Sequence, residues 1–244
     1  MTEEQIQSFW QAHQFGGTTH PLVRDREDFA LDDLFRDHDR KRYQACPQLL
    51  RRLNSIPLEG KRVLQIGIAE GADSEQLIRR GAIWSGLDPA EESIRHVAKR
   101  LDLRLLPYEG LRQGSPSAIP YEPESFDLVF SHTALSSTLE IDRVQREIAR
   151  VLKPGGEFIA VLYAKWSLNY LLSKFKHAAG DGQTSSGLTV YDLRSIRRVF
   201  SRFRLMYASK MFIQASPVPA SILRVFPGES FLGWWLWAHL RRQP

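Results

Sequence analysis

Residues 62–68 read RVLQIGI, a short branched apolar run that ends directly in the glycine-bearing turn EGADS. Nothing in the run alternates between apolar and polar, so it suits a strand buried on both faces. A strand of that kind needs a covering layer on each side, which points to the α/β class. The same rhythm continues downstream. Ser74–Arg80 opens a helix, Ile83–Leu87 reads as a second strand, and Glu91–Leu101 as a helix whose acidic first turn suits the helix dipole. A weaker third strand falls near Glu109–Gln113, and SFDLVFS, residues Ser125–Ser131, is a fourth. Ile141–Leu152 is an amphipathic helix stopped by Lys153-Pro154-Gly155-Gly156, and Glu157–Tyr163 makes a fifth strand. Strands and helices alternating through short connections give a mostly parallel sheet covered on both faces, since parallel neighbours need crossovers.

The flanks are less regular. Ahead of the first strand, an arm with Gly16-Gly17 and Pro21 leads into helical spacing over Phe29–Leu53, with a break expected at Pro47. After the fifth strand come an expected helix at Ser167–His177, a Gly/Ser-rich loop at Gly180–Gly187, a helix at Val190–Phe200 and a strand at Arg204–Ile213. On period alone the closing segment Phe231–Arg241 suits a helix or a strand, and a terminal strand is favoured because its Trp and Leu side chains pack well on a buried sheet face.

Composition narrows the class. With 244 residues, 43% of them hydrophobic, the chain can fill one core without a disulfide framework, and Cys46 is its only cysteine. The start MTEEQIQSFW lacks the basic and apolar segments of a secretory signal, so a cytoplasmic location is expected. The apolar stretch FLGWWLWAHL is about half the ~20 residues that span a bilayer, so no membrane span is expected. The net charge of +5 comes from scattered pairs such as Arg51-Arg52 and Arg197-Arg198, which solvated faces explain, and no nucleic-acid partner is expected. No His/Cys/Asp cluster has ligand spacing, so no metal is implied. A homodimer is compatible with the sequence but not read from it.

The turn after the first strand is the first candidate site. Gly67 and Gly71 let the backbone bend sharply, and Asp88 ends the second strand twenty-one positions after Gly67. A carboxylate at that distance is placed to accept hydrogen bonds from both hydroxyls of an adenosine ribose. The plainer alternative is a tight turn with Asp88 as a helix cap. The two features together favour an adenosine-type cofactor. A dinucleotide fingerprint would need Gly67, Ala69 and Ala72 to serve as its three glycines, which weakens a nicotinamide assignment.

The segments VLQIGIAEGADSEQL, SGLD, SAIPYEPESFDLVFSHTAL, REIARVLKPGGEF and VLYAKWSLNYLL together resemble the UbiE/type-11 branch of class I S-adenosylmethionine-dependent methyltransferases over Arg62–Leu172. The resemblance implies a Rossmann-like doubly wound seven-stranded sheet with a reversed C-terminal hairpin. It divides the chain into residues 1–57, arm and helices forming a substrate-side cap, and a core over 58–244 with a substrate-side insertion at about 164–190. It implies S-adenosyl-L-methionine as cofactor and methyl transfer to oxygen, nitrogen or carbon of a small-molecule acceptor. Carried over by position, Gly67 and Gly71 would line the methionine part, Asp88 would hold the ribose, and Ile68 and Pro89 would pack nearby. Ala69, Ser115, Pro116 and Ser131 complete the expected cofactor contacts. The chain departs from the pattern at Gln65, where an acid is usual, at Ala69, where a glycine is usual, at Ser115, where an acid often meets adenine, and at Ser136-Ser137, where histidines are common.

Methyl transfer from a sulfonium is an in-line displacement, so positioning and water exclusion are the main tasks. An acceptor that loses a proton gains from a base. His132 at the end of the fourth strand is the first candidate and Tyr163 at the end of the fifth the second, although both positions also suit ordinary packing. His20, Tyr43 and His177 lie in substrate-side segments. Phe9, Trp10, Phe15, Trp166, Tyr170 and Phe175 would form an aromatic lid, or simply core, and Lys174 and Lys176 would suit an anionic acceptor or solvent. Two rival readings stay open: a non-catalytic scaffold, and a nicotinamide-dependent reductase suggested by the spacing of Tyr170 and Lys174.

Overall fold

A computed structural model describes residues 28–167, 189–211 and 233–243. Two helices, α1 (Asp28–Ala45) and α2 (Pro47–Ser55), precede the sheet. Then follow β1 (Arg62–Ile66), α3 (Ala72–Arg79), β2 (Ile83–Asp88), α4 (Glu91–Leu103), β3 (Gly110–Gln113) and β4 (Phe126–His132). A single 3₁₀ turn (Ala134–Ser136) leads to α5 (Ile141–Val151), β5 (Leu152–Tyr163), α6 (Leu193–Val199), β6 (Phe203–Met211) and β7 (Trp235–Arg242). The seven strands form one sheet in the order β3-β2-β1-β4-β5-β7-β6. β1 to β5 run parallel, and β7 lies antiparallel between β5 and β6. The α/β class and the reversed final hairpin therefore agree with the sequence.

Each face of the sheet carries its own core. On one, Leu64, Val129 and Phe158 pack under Val144 and Ile148 of α5 and under Phe200 after α6. On the other, Val63, Phe130 and Trp237 meet Leu49 and Leu53 of α2 and Leu77 of α3. The near-continuous burial along β1, β2 and β4 follows, because both sides of these strands are covered.

Several boundaries differ from the sequence reading. Pro47 opens α2 at a position where the missing N–H costs nothing, so the break falls at Cys46. α3 begins at Ala72, two residues early, because Gly71 adopts φ +78 and turns the chain straight into the helix. β5 starts at Leu152 rather than Glu157: Leu152 pairs with Phe126, the register then shifts, and Glu157 pairs with Leu128. The Lys153–Gly156 stretch is therefore an irregularity within the strand as well as the end of α5. α6 is shorter than expected because Asp192 and Ser195 form a reciprocal capping box that fixes its start. The final strand is present as Trp235–Arg242. The expected helix beyond Ser167, the Gly/Ser loop at 180–187 and residues 1–27 lie outside the described residues.

α1 is fastened by charge. Arg100 of α4, fully buried, donates to Glu75 of α3 at 2.8 Å, to the Glu70 carbonyl at 3.1 Å and to Asp39 of α1. Arg104 donates to Asp32 of α1 at 2.7 Å and also reaches Glu75. Both guanidinium groups lie near the ring of Phe35. Among the described residues, no helix is long and apolar enough to cross a membrane.

Candidate functional site

In an open parallel sheet, the ligand crevice lies outside the carboxyl ends of the strands where the strand order reverses, here between β1 and β4. The turn Gly67–Gly71 and the residue His132 end those two strands. Gly67 has φ +76 and donates to the Leu87 carbonyl at 2.8 Å. A Cβ on Gly67 would stand 2.3 Å from the Cβ of Ala134, and one on Gly71 would press Val97 and Arg100. The close approach that demands glycine is therefore to the neighbouring segments themselves.

Asp88 is buried at the end of β2 and faces this turn. Its Oδ2 accepts from the Ile68 amide at 2.8 Å and its Oδ1 from the Ala90 amide at 2.9 Å. Burial pushes its carboxyl above the ordinary value, against the opposing effect of the backbone donors of Ala90, Ile68 and Ala69. A carboxylate has about four acceptor positions, so at least one remains beside these backbone donors. Asp88 thus ties the glycine turn to the start of the following helix through these backbone bonds.

Ala69 adopts φ +45, a left-handed conformation that costs an L side chain roughly 1–2 kcal/mol. We expect Ala69→Gly to raise stability by about 0.5–1 kcal/mol after the extra chain entropy of glycine is counted. Thermal unfolding reads this as a Tm increase of a few degrees, and a fall would mean that the methyl packs usefully. Gln65 has its own explanation. Its Oε1 accepts from the buried Trp84 indole at 3.1 Å while its Nε2 donates to the Gly67 carbonyl at 3.3 Å, a second role that a carboxylate cannot fill.

The remaining expected contacts are dispersed around this crevice. Gly114 donates to the Asp88 carbonyl at 3.0 Å, which brings the loop of Ser115 and Pro116 beside Asp88. Ser115 Oγ lies 2.9 Å from Ser117 Oγ and accepts from the Ser117 amide, so its hydroxyl shapes the loop. Gln113 donates to the Pro89 carbonyl. Ser131, paired with Ile66 across β1, has a buried Oγ with no hydrogen-bond partner. Ser136 Oγ accepts from the Tyr163 amide at 3.3 Å, and the Ser136 carbonyl accepts from Thr189. That position is structural here.

Across the crevice, Asp73 at the start of α3 gathers four donors. Arg42 gives Nη2 at 2.5 Å and Nε at 3.2 Å, Tyr43 gives its hydroxyl at 3.0 Å, and His132 Nδ1 stands at 2.8 Å. Arg42 Nη2 is also 2.6 Å from His132 Nδ1. Burial raises the Asp73 carboxyl, but the charges of Arg42 and His132 outweigh it and hold the group far below the ordinary range. Burial and then the Arg42 charge lower the His132 imidazole, with Asp73 opposing. Burial and the Asp73 charge push the Tyr43 phenol far up. His132 also meets the Trp235 ring edge-on, with 4.6 Å between centroids.

Tyr163 lies one strand over from His132. Its ring packs on Trp234 at 5.2 Å, and burial raises its phenol, so it stays protonated at neutral pH. Trp166 is more than half exposed, with Lys165 over its ring. Phe9, Trp10, Phe15, His20, Tyr170, Lys174, Phe175, Lys176 and His177 fall outside the described residues. The sequence reading missed Arg42 and Asp73. Asp73 stood inside the quoted turn, yet nothing local marks it as a partner of a residue 59 positions away.

Residues 64–160 match the family model described as a methyltransferase domain. Over that span the chain is similar to a methyltransferase domain. The chain is 31% identical over 126 residues to a fatty-acid O-methyltransferase of Mycolicibacterium smegmatis, covering 51% of this chain and 44% of that protein. It is 31% identical over 123 residues to a ubiquinone biosynthesis O-methyltransferase of Rhizobium johnstonii, covering 47% and 46% respectively. The chain thus spans under half the length of these relatives. The crystal structure of an S-adenosylmethionine dependent methyltransferase from Mesorhizobium loti superposes with a TM-score of 0.57 at 18% identity, covering 80% of this chain and 96% of the other, and so shares the fold. The glycine turn, Asp88 and His132 all belong to the matched span.

Proposed function

We propose that the chain transfers the methyl group of S-adenosylmethionine to an oxygen or nitrogen of a small-molecule acceptor. One observation carries the reading: a buried carboxylate, Asp88, facing the glycine turn at the strand-order reversal. Asp88 would accept from the ribose hydroxyls, and the Gly67–Gly71 backbone would line the methionine part. The unpartnered Ser131 hydroxyl beside β1 fits a polar ligand at that end of the sheet. When bound, the cofactor supplies an electrophilic methyl on a sulfonium.

The chain's own residues would do the rest. His132, kept neutral by burial and Arg42, is available at pH 7 to take a proton from an acceptor hydroxyl or amine. Asp73 accepting from Nδ1–H leaves Nε2 as the basic atom. Tyr163 would orient the acceptor rather than deprotonate it, since its phenol is raised. The named O-methyltransferase activities of the two relatives favour a hydroxyl or carboxyl acceptor over a carbon one. The helices α1 and α2 would cap the acceptor side. As part of the same proposal, the enzyme is cytoplasmic, a location in keeping with a single cysteine.

Calorimetric titration with S-adenosylmethionine, S-adenosylhomocysteine and NADPH tests the proposal. Saturable binding of the two sulfur ligands and none of NADPH is the expected result. Absence of binding by both sulfur ligands would overturn it, and NADPH binding would revive the reductase.

A further inference from the structure

A second site lies on the outer edge of the same sheet face. Gln48, Arg51, Arg52 and Ser55 recur at i, i+3, i+4 and i+7 along α2, so they share one helix face. Opposite them, Tyr207, Ser209 and Met211 alternate along β6 and share one strand face, with Lys210 at the rim. Between the two elements runs an open groove of about 400 Å³. Among the described residues no carboxylate lines it, although it brings together two guanidinium groups and an ammonium.

Arg52 is held ready. Its Nη2 bonds Ser209 Oγ and reaches Tyr207 Oη at 3.5 Å, and its guanidinium lies over the rings of Tyr207 and Trp237 at 5.6 and 5.5 Å. Those bonds engage Nη2, leaving the Nε and Nη1 hydrogens as further donors on separate edges of the guanidinium. Neither Arg51 nor Arg52 pairs with a carboxylate among the described residues, whereas Arg36, Arg42, Arg62, Arg79, Arg100 and Arg104 each do. Holding the Arg51 and Arg52 charges together with no paired carboxylate among the described residues is unfavourable, and an oxyanion in the groove would remove the repulsion.

The groove is in register with the transfer site. His132 pairs with Val161, Val161 with Trp237, and Trp237 with Ser209, one row across four strands. Three strand spacings separate the ends of that row by about 14 Å. Met211, at the mouth, pairs with Trp235, the ring that meets His132 edge-on.

We propose that this α2–β6 groove binds the carboxylate or phosphate of an elongated acidic methyl acceptor whose reacting atom lies near His132; this rests on the methyltransferase reading above. Recognition falls to the Arg52 guanidinium, assisted by Arg51 and Lys210. The test is titration of decanoate and of phenyl phosphate at low ionic strength into the wild-type chain, Arg52→Gln and Arg51→Gln, with S-adenosylhomocysteine titrated in parallel. The expected result is saturable binding of at least one probe, weakened about tenfold or more by Arg52→Gln and also by the change at the exposed Arg51, Arg51→Gln, with nucleoside affinity unchanged. A preference for decanoate identifies an acid acceptor, and one for phenyl phosphate a phosphorylated acceptor; both support the groove. Failure of both probes while S-adenosylhomocysteine still binds, or equal binding to all three proteins, overturns the groove alone. Loss of S-adenosylhomocysteine binding in the wild type would instead sink the reading on which it rests.

Discussion

Replacing Asp88 by alanine is expected to weaken S-adenosylmethionine and S-adenosylhomocysteine binding at least about a hundredfold. Each hydrogen bond from a neutral donor to a carboxylate contributes about 1.5–3 kcal/mol, and two ribose hydroxyls would lose their acceptor together. Two further bonds also go: the Ile68 amide that Oδ2 now accepts at 2.8 Å and the Ala90 amide on Oδ1. The turn therefore loosens as the ligand contact disappears. Asp88→Asn separates the two effects, because its amide oxygen keeps one backbone acceptor while its NH₂ faces donors. Calorimetry should place Asn between wild type and Ala, with circular dichroism confirming that all three proteins fold. Wild-type affinity for Asp88→Ala would show that the carboxylate serves the turn alone. The pH dependence follows from burial, which raises the Asp88 carboxyl above its ordinary value. Cofactor affinity should begin to fall at a higher pH than an exposed aspartate would give, as protonation converts the acceptor into a donor.

What could be read from the sequence was what lies close along the chain. RVLQIGI declares a doubly covered strand because its branched apolar residues fall on both faces, and the glycine turn follows at once. Asp88 was within reach because one βαβ unit fixes its distance from Gly67. The Leu152 start of β5 was hidden because KPGG reads as a helix stop, and only pairing with Phe126 recruits it to the strand. The role of Gln65 was hidden for a related reason: the Trp84 indole that needs its carbonyl arrives from the neighbouring strand. Arg42 and Asp73 were the largest omission. They stand 31 positions apart, and Asp73 stands 59 from His132, so the ion pair exists only after α1 docks against α3 and β4. Burial of a charged side chain is a property of the fold, and no local pattern of residues announces it.

That buried cluster yields the largest stability effect. Asp73→Ala is expected to cost about 3–5 kcal/mol, because the Arg42 side chain, only 8% exposed, loses its carboxylate while remaining out of water. Tyr43 and His132 lose their acceptor at the same time. Chemical denaturation gives the size, and the normal pH dependence gives the cause. The native Asp73 carboxyl is depressed, so its stabilisation is complete above the unfolded carboxylate value of 3.8 and is lost as pH falls through the acid range. The native His132 is depressed below 6.5, so as pH drops under that value the unfolded chain binds a proton that the native chain refuses, and stability falls again. Wild-type stability should therefore rise with pH in both windows. Arg42→Gln sharpens the test at His132: with the Arg42 charge gone and Asp73 kept, the imidazole should titrate at higher pH in an NMR titration, and the slope of stability below pH 6.5 should flatten. An imidazole that titrates unchanged in Arg42→Gln would mean that burial alone keeps His132 neutral, and α1 would then have no hold on its charge state.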